Sequence, residues 1–251
     1  VRISACHSRL LAVRNTRIRP GTDDKVLTAW NGLMLSAFSQ ASRAFWGTEQ
    51  GDEYHQMAIR NAHFLLSQLY QENRLHRSWR EGQTTREVFL EDYAGLILGL
   101  LDLYQTDFDN SRYAHAQDLT KEMVSLFNDP EGGFFDTTAD EENLLFRPRD
   151  LQDNATPCGN SMACEVLLKM AAFSDRPDFR QKAEKMLEGI AEQAVQYPTG
   201  FARWLSAMDF TLENVKQIAV LGDLASEDTQ SMLTILRKGY SPNWVVAASP
   251  L

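Results

Sequence analysis

The chain has few of the residues that mark a metal, redox or disulfide-rich protein. It contains only three cysteines, Cys6, Cys158 and Cys164, and none of them forms a CxxC pair. Because the count is odd and the spacing is irregular, the pattern is typical of a reduced, cytoplasmic protein. The five histidines are scattered without the spacing of zinc ligands, so no metal site is predicted.

Excess positive charge and long apolar runs are also missing. The 34 acidic residues outnumber the 25 basic ones, which gives a formal net charge of −9. This balance argues against nucleic acid or an anionic membrane as a partner, because both select a basic surface. The longest strongly apolar run, YAGLILGLL, is too short to cross a bilayer, and no signal peptide is visible. Neither kind of partner is therefore expected.

Two kinds of helical pattern alternate along the chain. The first kind is apolar nearly all round, as buried helices are, and covers residues 29–46, 92–105 and 160–173. The second kind has one apolar stripe at helical spacing and covers residues 53–70, 111–127 and 177–195. The buried starts, judged from Asn31, Asp92 and Asn160, recur about every 65 residues. The pattern indicates an inner helix followed by an outer helix, three times over.

Such an array forms either an open solenoid or a closed ring. The segments RLHRSWREGQTTREVFL and GGFFDTTADEENLLFRPRD each contain two short β runs around a polar turn, and both precede an inner helix. A weaker inner helix is predicted at about 200–211. We therefore predict a mainly α fold, a partial α/α toroid ((α/α)6-barrel-like) of inner and outer helix hairpins with short β-hairpin loops.

The pattern changes near the C-terminus. VKQIAVLG and NWVVAAS read as strands on either side of a helix at 226–238, which predicts a small β-α-β unit. A single glycine there, Gly222, does not make a dinucleotide fingerprint, so no cofactor is predicted. The expected organisation is a toroid segment at 14–213, an incomplete ring, followed by an α/β unit at 214–251.

The inner helices begin with LTAWNGL, FLEDYAGL and ATPCGNSM. Thr28 and Thr156 are candidates for N-caps, and Glu91 and Asp92 suit the positive end of a helix dipole. Capping does not explain Trp30, Tyr93 or the run Gly159-Asn160-Ser161, and glycine, asparagine and serine are poor helix formers. We therefore expect close helix packing or a polar pocket at the end of the toroid where these starts converge.

The convergent starts predict a funnel that binds a ligand. Glycoside hydrolysis requires two carboxyl groups, and the candidates are Asp92 as general acid and Asp24 as its partner. The candidate substrate-binding residues are Asp23, Trp30, Asn31, Glu91, Tyr93, Asn160, Ser161 and Trp79. The alternative is purely structural, because buried helix ends need satisfied polar groups whether or not a ligand binds. A tryptophan in a hairpin, such as Trp79, is also commonly a packing anchor.

The motifs RIRPGTDDKVLTAWNGLM, FLEDYAGLILGLLDLY, GGFFDT and ATPCGNSMACEVLL resemble the C-terminal part of YyaL-like, thioredoxin-domain-containing proteins, a family with spermatogenesis-associated members. The resemblance implies an α/α toroid similar to six-hairpin glycosidases and N-acylglucosamine 2-epimerases, with a thioredoxin-like domain upstream of this chain. The family motif commonly reads TPSGNS, and Cys158 replaces its serine here. The inner-helix starts also lack the histidine that an epimerase-like proton shuttle would need.

Two functions follow as hypotheses. The first is a six-hairpin glycosidase-like domain that binds or processes a carbohydrate or another small polar ligand in the funnel. The alternative is a non-catalytic interaction module that serves the upstream thioredoxin-like domain. An incomplete ring would leave apolar helix sides in water, notably those of 92–105, so we expect self-association or contact with an upstream portion of the same protein.

Overall fold

Helices account for most of the computed structural model, which describes residues 2–139 and 146–250. Within these residues the α-helices are α1 (Arg2–Asn15), α2 (Thr28–Ala44), α3 (Glu49–Phe64), α4 (Leu90–Asp107), α5 (Asn110–Phe127), α6 (Gly159–Ser174), α7 (Pro177–Gln196), α8 (Ala202–Leu212) and α9 (Glu227–Leu236). The strands are β1 (Val26–Leu27), β2 (Tyr70–Gln71), β3 (Arg74–Leu75), β4 (Ser78–Arg80), β5 (Gln83–Thr84), β6 (Lys216–Leu221) and β7 (Trp244–Ser249).

Inner and outer helices alternate as the periodicity predicts. Helix α4 lies at the centre, packed against α2, α5 and α6, and 15 of its 18 residues are buried. Its run of leucine and isoleucine leaves no polar stripe to face water, which explains this position. The outer helices α3, α5 and α7 bury one stripe each and expose the rest. Helix α8 packs against α6 as a fourth inner helix. The mainly α toroid class is confirmed.

The connection between α3 and α4 contains short strands. β1, β4 and β5 form an antiparallel sheet in which Val26 pairs with Trp79 and Trp79 with Thr84. β2 and β3 form a separate hairpin. The β runs expected between α5 and α6 include residues 140–145, which lie outside the described residues. The described part of that connection pairs through isolated bridges, Phe89 with Thr137 and Asn128 with Phe134.

The C-terminal residues form the predicted β-α-β unit, with β6 and β7 parallel and α9 between them in sequence. Polar contacts fix the unit to the ends of two inner helices. The amide of Val246 donates to Gln105 of α4 over 3.0 Å, and Gln217 donates to the carbonyl oxygen of Ala172 on α6 over 2.6 Å. The unit therefore lies at the C-terminal ends of the inner helices.

Several local expectations are wrong. Thr28 and Thr156 do not cap helices: α2 is preceded by Leu27 without a side-chain cap, and α6 is capped by Cys158, whose Sγ accepts from the amide of Ser161 over 3.3 Å. The cysteine therefore takes the capping role that a serine would have. The Thr28 hydroxyl instead donates to the carbonyl oxygen of His76. A π-helical segment, Leu65–Leu69, continues α3.

The helix that exposes apolar side chains in the incomplete ring is also not the one that we expect from the sequence. Residues 92–104 are buried, and Gln105 partly so, because α2, α5, α6 and the C-terminal unit surround α4. The exposed inner helix is α2, where Trp30 is 61% and Met34 48% exposed. Helix α1, which the periodicity did not predict, buries no residue. Among the described residues, no helix combines the length and the apolarity that crossing a membrane requires.

Candidate functional site

Asp92 ties the starts of two inner helices together. One carboxylate oxygen accepts from the amide of Ala29 at the start of α2 over 3.1 Å, and the other accepts from the amide of Phe89 before α4 over 3.0 Å. The guanidinium of Arg77 lies 3.6 Å away. The residue is 1% exposed, and burial raises its pKa to about 7 against the opposing effect of these partners. Asp92 satisfies backbone donors that the helix ends would otherwise leave unpaired.

The predicted catalytic pair of Asp92 and Asp24 is therefore not an arrangement suited to hydrolysis. Asp92 has its oxygens occupied by backbone donors and shielded from solvent, whereas a general acid must reach the oxygen that it protonates. Asp24 is on the surface, where it forms an ion pair with Arg80 at 2.7 Å. Asp23 is also exposed and pairs with Lys25 at 3.4 Å. Asp92 is thus buried between two helix starts, whereas Asp24 lies on the surface in an ion pair.

The polar residues at the start of α6 form a second buried junction. Asn160 accepts from the amide of Phe134 over 3.0 Å and donates to the carbonyl oxygens of Phe134 and Asp150. Both the oxygen and the nitrogen of its side-chain amide therefore have hydrogen-bond partners. Ser161 donates to Asp153 over 2.7 Å. Asp153 also accepts from the amide of Arg203 at the start of α8. This carboxylate joins two inner helices as Asp92 joins the other two, and the sequence analysis missed it.

The remaining predicted binding residues occupy different surroundings. Tyr93 is buried and donates to Glu122 of α5 over 3.1 Å. Trp79 packs edge-on against Phe64, with 5.3 Å between ring centroids. Asn31 donates to the carbonyl oxygen of Leu27 over 2.9 Å and accepts at its own carbonyl from Asn61. These contacts hold the helix starts and the β-sheet together.

Three carboxylates remain accessible beside the buried junctions, and we call Glu91, Asp136 and Asp150 the carboxylate rim. The Glu91 side chain is 32% exposed and pairs with Arg77 at 3.0 Å. Asp136 is half-buried and accepts from the amide of Asp150 over 2.6 Å. No three His, Cys, Asp or Glu residues in the described part of the chain are grouped so as to hold a metal ion. The carboxylate rim thus consists of one glutamate at the start of α4 and two aspartates on the connection before α6.

Within the carboxylate rim, Asp136 is the acid whose pKa is raised. Burial raises its pKa to about 6, and the negative charges of Asp150 and Glu91 act in the same direction. Hydrogen bonds from the Asp150 amide and from Asn160 only partly oppose this effect. The amide of Leu90 at the start of α4 donates to the carbonyl oxygen of Asp136 over 3.0 Å, so this part of the loop before α6 lies against the start of α4. Sequence reasoning found Glu91 but missed Asp136, which lies in the quoted segment GGFFDT.

Sequence comparison identifies relatives over almost the whole chain. The chain is 31% identical over 250 residues to spermatogenesis-associated protein 20 from Mus musculus and 30% identical to the protein from Homo sapiens, in both cases covering 95% of this chain. The chain is a homologue of spermatogenesis-associated protein 20. The family inferred from the motifs is thus confirmed. The chain spans about a third of the length of these relatives, 31% in each case. No protein-family model matches it.

Solved structures with a similar helical arrangement include sugar-processing enzymes. Cellobiose 2-epimerase from Spirochaeta thermophila aligns with a TM-score of 0.52 at 17% identity, over 66% of this chain and 43% of that one. The GH76 α-mannanase of Bacteroides thetaiotaomicron aligns with a TM-score of 0.52 at 16% identity, over 69% of this chain and 47% of that one. At these identities the likeness shows the α/α toroid fold alone, since one fold hosts unrelated functions.

Proposed function

We propose that the carboxylate rim binds a carbohydrate and that Asp136 and Glu91 are its acid and base. The observation that carries this proposal is the placement of two accessible acids at one point of the fold: the amide of Leu90, the residue before Glu91, donates to the carbonyl oxygen of Asp136 over 3.0 Å. The raised pKa of Asp136, about 6, agrees with it. Glycoside chemistry uses two carboxyl groups of different proton affinity, one to protonate the leaving oxygen and one to act as base or nucleophile. The similar fold of sugar-processing enzymes supports the same class of ligand.

The two carboxyl groups have surroundings that suit different roles. Asp136 keeps a proton to higher pH than an ordinary aspartate because it is half-buried among negative charges. Glu91 instead forms an ion pair with the guanidinium of Arg77 at 3.0 Å. Asn160 fixes the Asp136 side chain over 3.4 Å. Asp136 is therefore the acid and Glu91 the base of the proposed pair.

Asp136→Asn tests this assignment. We expect it to abolish turnover of cellobiose or mannobiose and to leave the melting temperature nearly unchanged, because the amide oxygen still accepts from Asp150. In the unsubstituted chain, turnover should fall as pH rises through about 6, since the acid then loses its proton. Reducing-end release measures turnover, and calorimetry measures binding of the same two sugars.

The matched control is Asp118→Asn, which removes a carboxylate from the exposed face of α5, where Asp118 pairs with Lys121. This variant should retain turnover and binding in full. Absence of sugar binding in the unsubstituted chain, or equal activity of the two variants, would contradict the proposal.

A second candidate function is supported by a different surface. Trp30, Met34, Ala37, Ala41 and Ala44 follow one another at helical spacing along α2, and we call them the α2 stripe. Four of the five are exposed. Spacing of this kind is typical of a helix that packs against another helix. As the alternative function, we propose a non-catalytic interaction module that uses the α2 stripe and serves a thioredoxin-like domain in the longer protein.

The α2 stripe leads to a prediction about the isolated chain. We expect it to self-associate, because burying an exposed tryptophan or methionine gains about 1.5–3 kcal/mol each. Met34→Glu should shift the sedimentation velocity profile towards monomer by placing a charge in the stripe. Met232→Glu is the control, since Met232 is 56% exposed but lies on α9. A concentration-independent monomer in the unsubstituted chain would contradict self-association through this stripe.

A further inference from the structure

A cavity of about 830 Å³ lies between the inner helices and the C-terminal unit. Its lining includes Arg43 at the end of α2, Asp102 on α4, Lys169 on α6 and Arg237 at the end of α9. Asp102 lies about 16 Å along α4 from Glu91 by helical rise. The cavity is therefore separate from the carboxylate rim, and its volume is in the range of small-molecule sites.

Most of the charges that line this cavity are already paired. Asp102 lies 2.9 Å from Arg43, and Glu165 lies 2.9 Å from Lys169 and 2.6 Å from Arg203. These pairs form a line of alternating charge across α2, α4, α6 and α8. The other carboxylate in the lining, Asp209, accepts from Asn243 over 3.2 Å.

Arg237 is the exception in this lining. Its guanidinium lies over the ring of Trp46, 3.4 Å from the centroid, and donates through Nη2 to the carbonyl oxygen of Thr106 over 2.9 Å. Its Nη1 is shielded from solvent and has no hydrogen-bond partner among the described residues. No described carboxylate forms an ion pair with it. Burial and repulsion from Arg43 lower the pKa of Arg237 to about 10.

Arg237 is partly exposed and lines the cavity without a described carboxylate as counter-charge, and an anion in the cavity would supply that charge. We propose that Arg237 binds an oxyanion, the phosphate or carboxylate group of a small molecule, in this cavity. Arginine suits the role because its planar donors match the oxygens of both groups. Ser206, Ser241 and Tyr240 add hydroxyl groups to the lining, and Trp244 adds an aromatic ring. The ligand is therefore a small polar anion with an organic part.

The test titrates the whole chain with inorganic phosphate and, separately, with succinate, at an ionic strength held constant with potassium chloride. We expect a saturable rise in melting temperature and a calorimetric binding signal with one of the two, which identifies the oxyanion. Arg237→Gln should weaken that binding by about tenfold or more, because it removes a charged donor. Lys238→Gln removes a positive charge from the adjacent exposed residue and should leave binding unchanged.

Arg237 also packs on Trp46, so a second variant covers the case in which Arg237→Gln does not fold. Ser241→Asp retains the arginine and adds a carboxylate to the same cavity, and it should abolish anion binding through repulsion. A lack of saturable response to both anions in the unsubstituted chain would overturn the proposal. Equal loss in Lys238→Gln, or undiminished binding in Ser241→Asp, would overturn it as well.

Discussion

Gly32→Ala is expected to lower the free energy of unfolding by about 3 kcal/mol, or roughly 6–12 °C in melting temperature for a chain of this size. A methyl group on Gly32 would overlap the carbonyl carbon of Gly95 and would lie 2.6 Å from the amide nitrogen of Leu96 and 2.7 Å from the Gly95 oxygen. All three are backbone atoms, so no side chain can move aside. Helices α2 and α4 would have to separate along their shared interface.

The matched control is Gly189→Ala on the outer helix α7. A methyl group at Gly189 meets nothing within 4 Å, so only the helix propensity changes. Alanine there should raise stability by about 0.5–1 kcal/mol. Chemical denaturation should therefore show that the same substitution of glycine by alanine lowers the free energy of unfolding at position 32 and raises it at position 189. A stabilising or neutral Gly32→Ala would show that α2 and α4 pack less closely than the backbone contacts of Gly32 require.

The same glycine illustrates which features are predictable from the sequence. Gly32 interrupts an otherwise favourable helix, and its poor helix propensity by itself indicates close packing at that position. The alternation of inner and outer helices is predictable for a similar reason, because each helix carries its burial pattern in its own residues. The β-α-β unit is predictable from its apolar runs. Local composition is sufficient for these features.

The roles of the acids are not predictable in this way. Asp92 and Glu91 are neighbours in sequence, yet Asp92 is buried under two backbone amides while Glu91 is accessible. That difference depends on Ala29, which lies on another helix. Asp136 acquires its raised pKa partly from Asp150 and Glu91, and Glu91 reaches it only through the fold. Arg237 meets the ends of α2 and α4 only because the C-terminal unit docks there. Long-range packing decides each of these cases.

The second large expected effect concerns the stability of the fold and Asp102, which belongs to the line of paired charges across α2, α4, α6 and α8. Asp102 is 3% exposed and accepts hydrogen bonds from Ser36 and from Gln40 in addition to its ion pair with Arg43. Asp102→Asn should lower the free energy of unfolding at pH 7 by about 3–5 kcal/mol, because it leaves buried positive charge without its partner. The control Asp118→Asn breaks an exposed pair and should cost less than about 0.5 kcal/mol.

The pH dependence separates loss of charge from loss of packing. Burial alone would raise the pKa of Asp102, but attraction from Lys169 and Arg43 outweighs it and lowers the pKa from 3.8 to about 2. The native state therefore binds this proton less readily than the unfolded state, so the carboxylate stabilises the fold above pH 3.8. That contribution, about 2 kcal/mol for a shift of this size, is lost as pH falls from 3.8 towards 2. Urea unfolding of the unsubstituted chain and Asp102→Asn should accordingly differ most above pH 5, and the difference should shrink by about this amount as the pH approaches 2. A difference that stays constant between pH 5 and pH 2.5 would mean that Asp102→Asn acts through packing rather than through the charge.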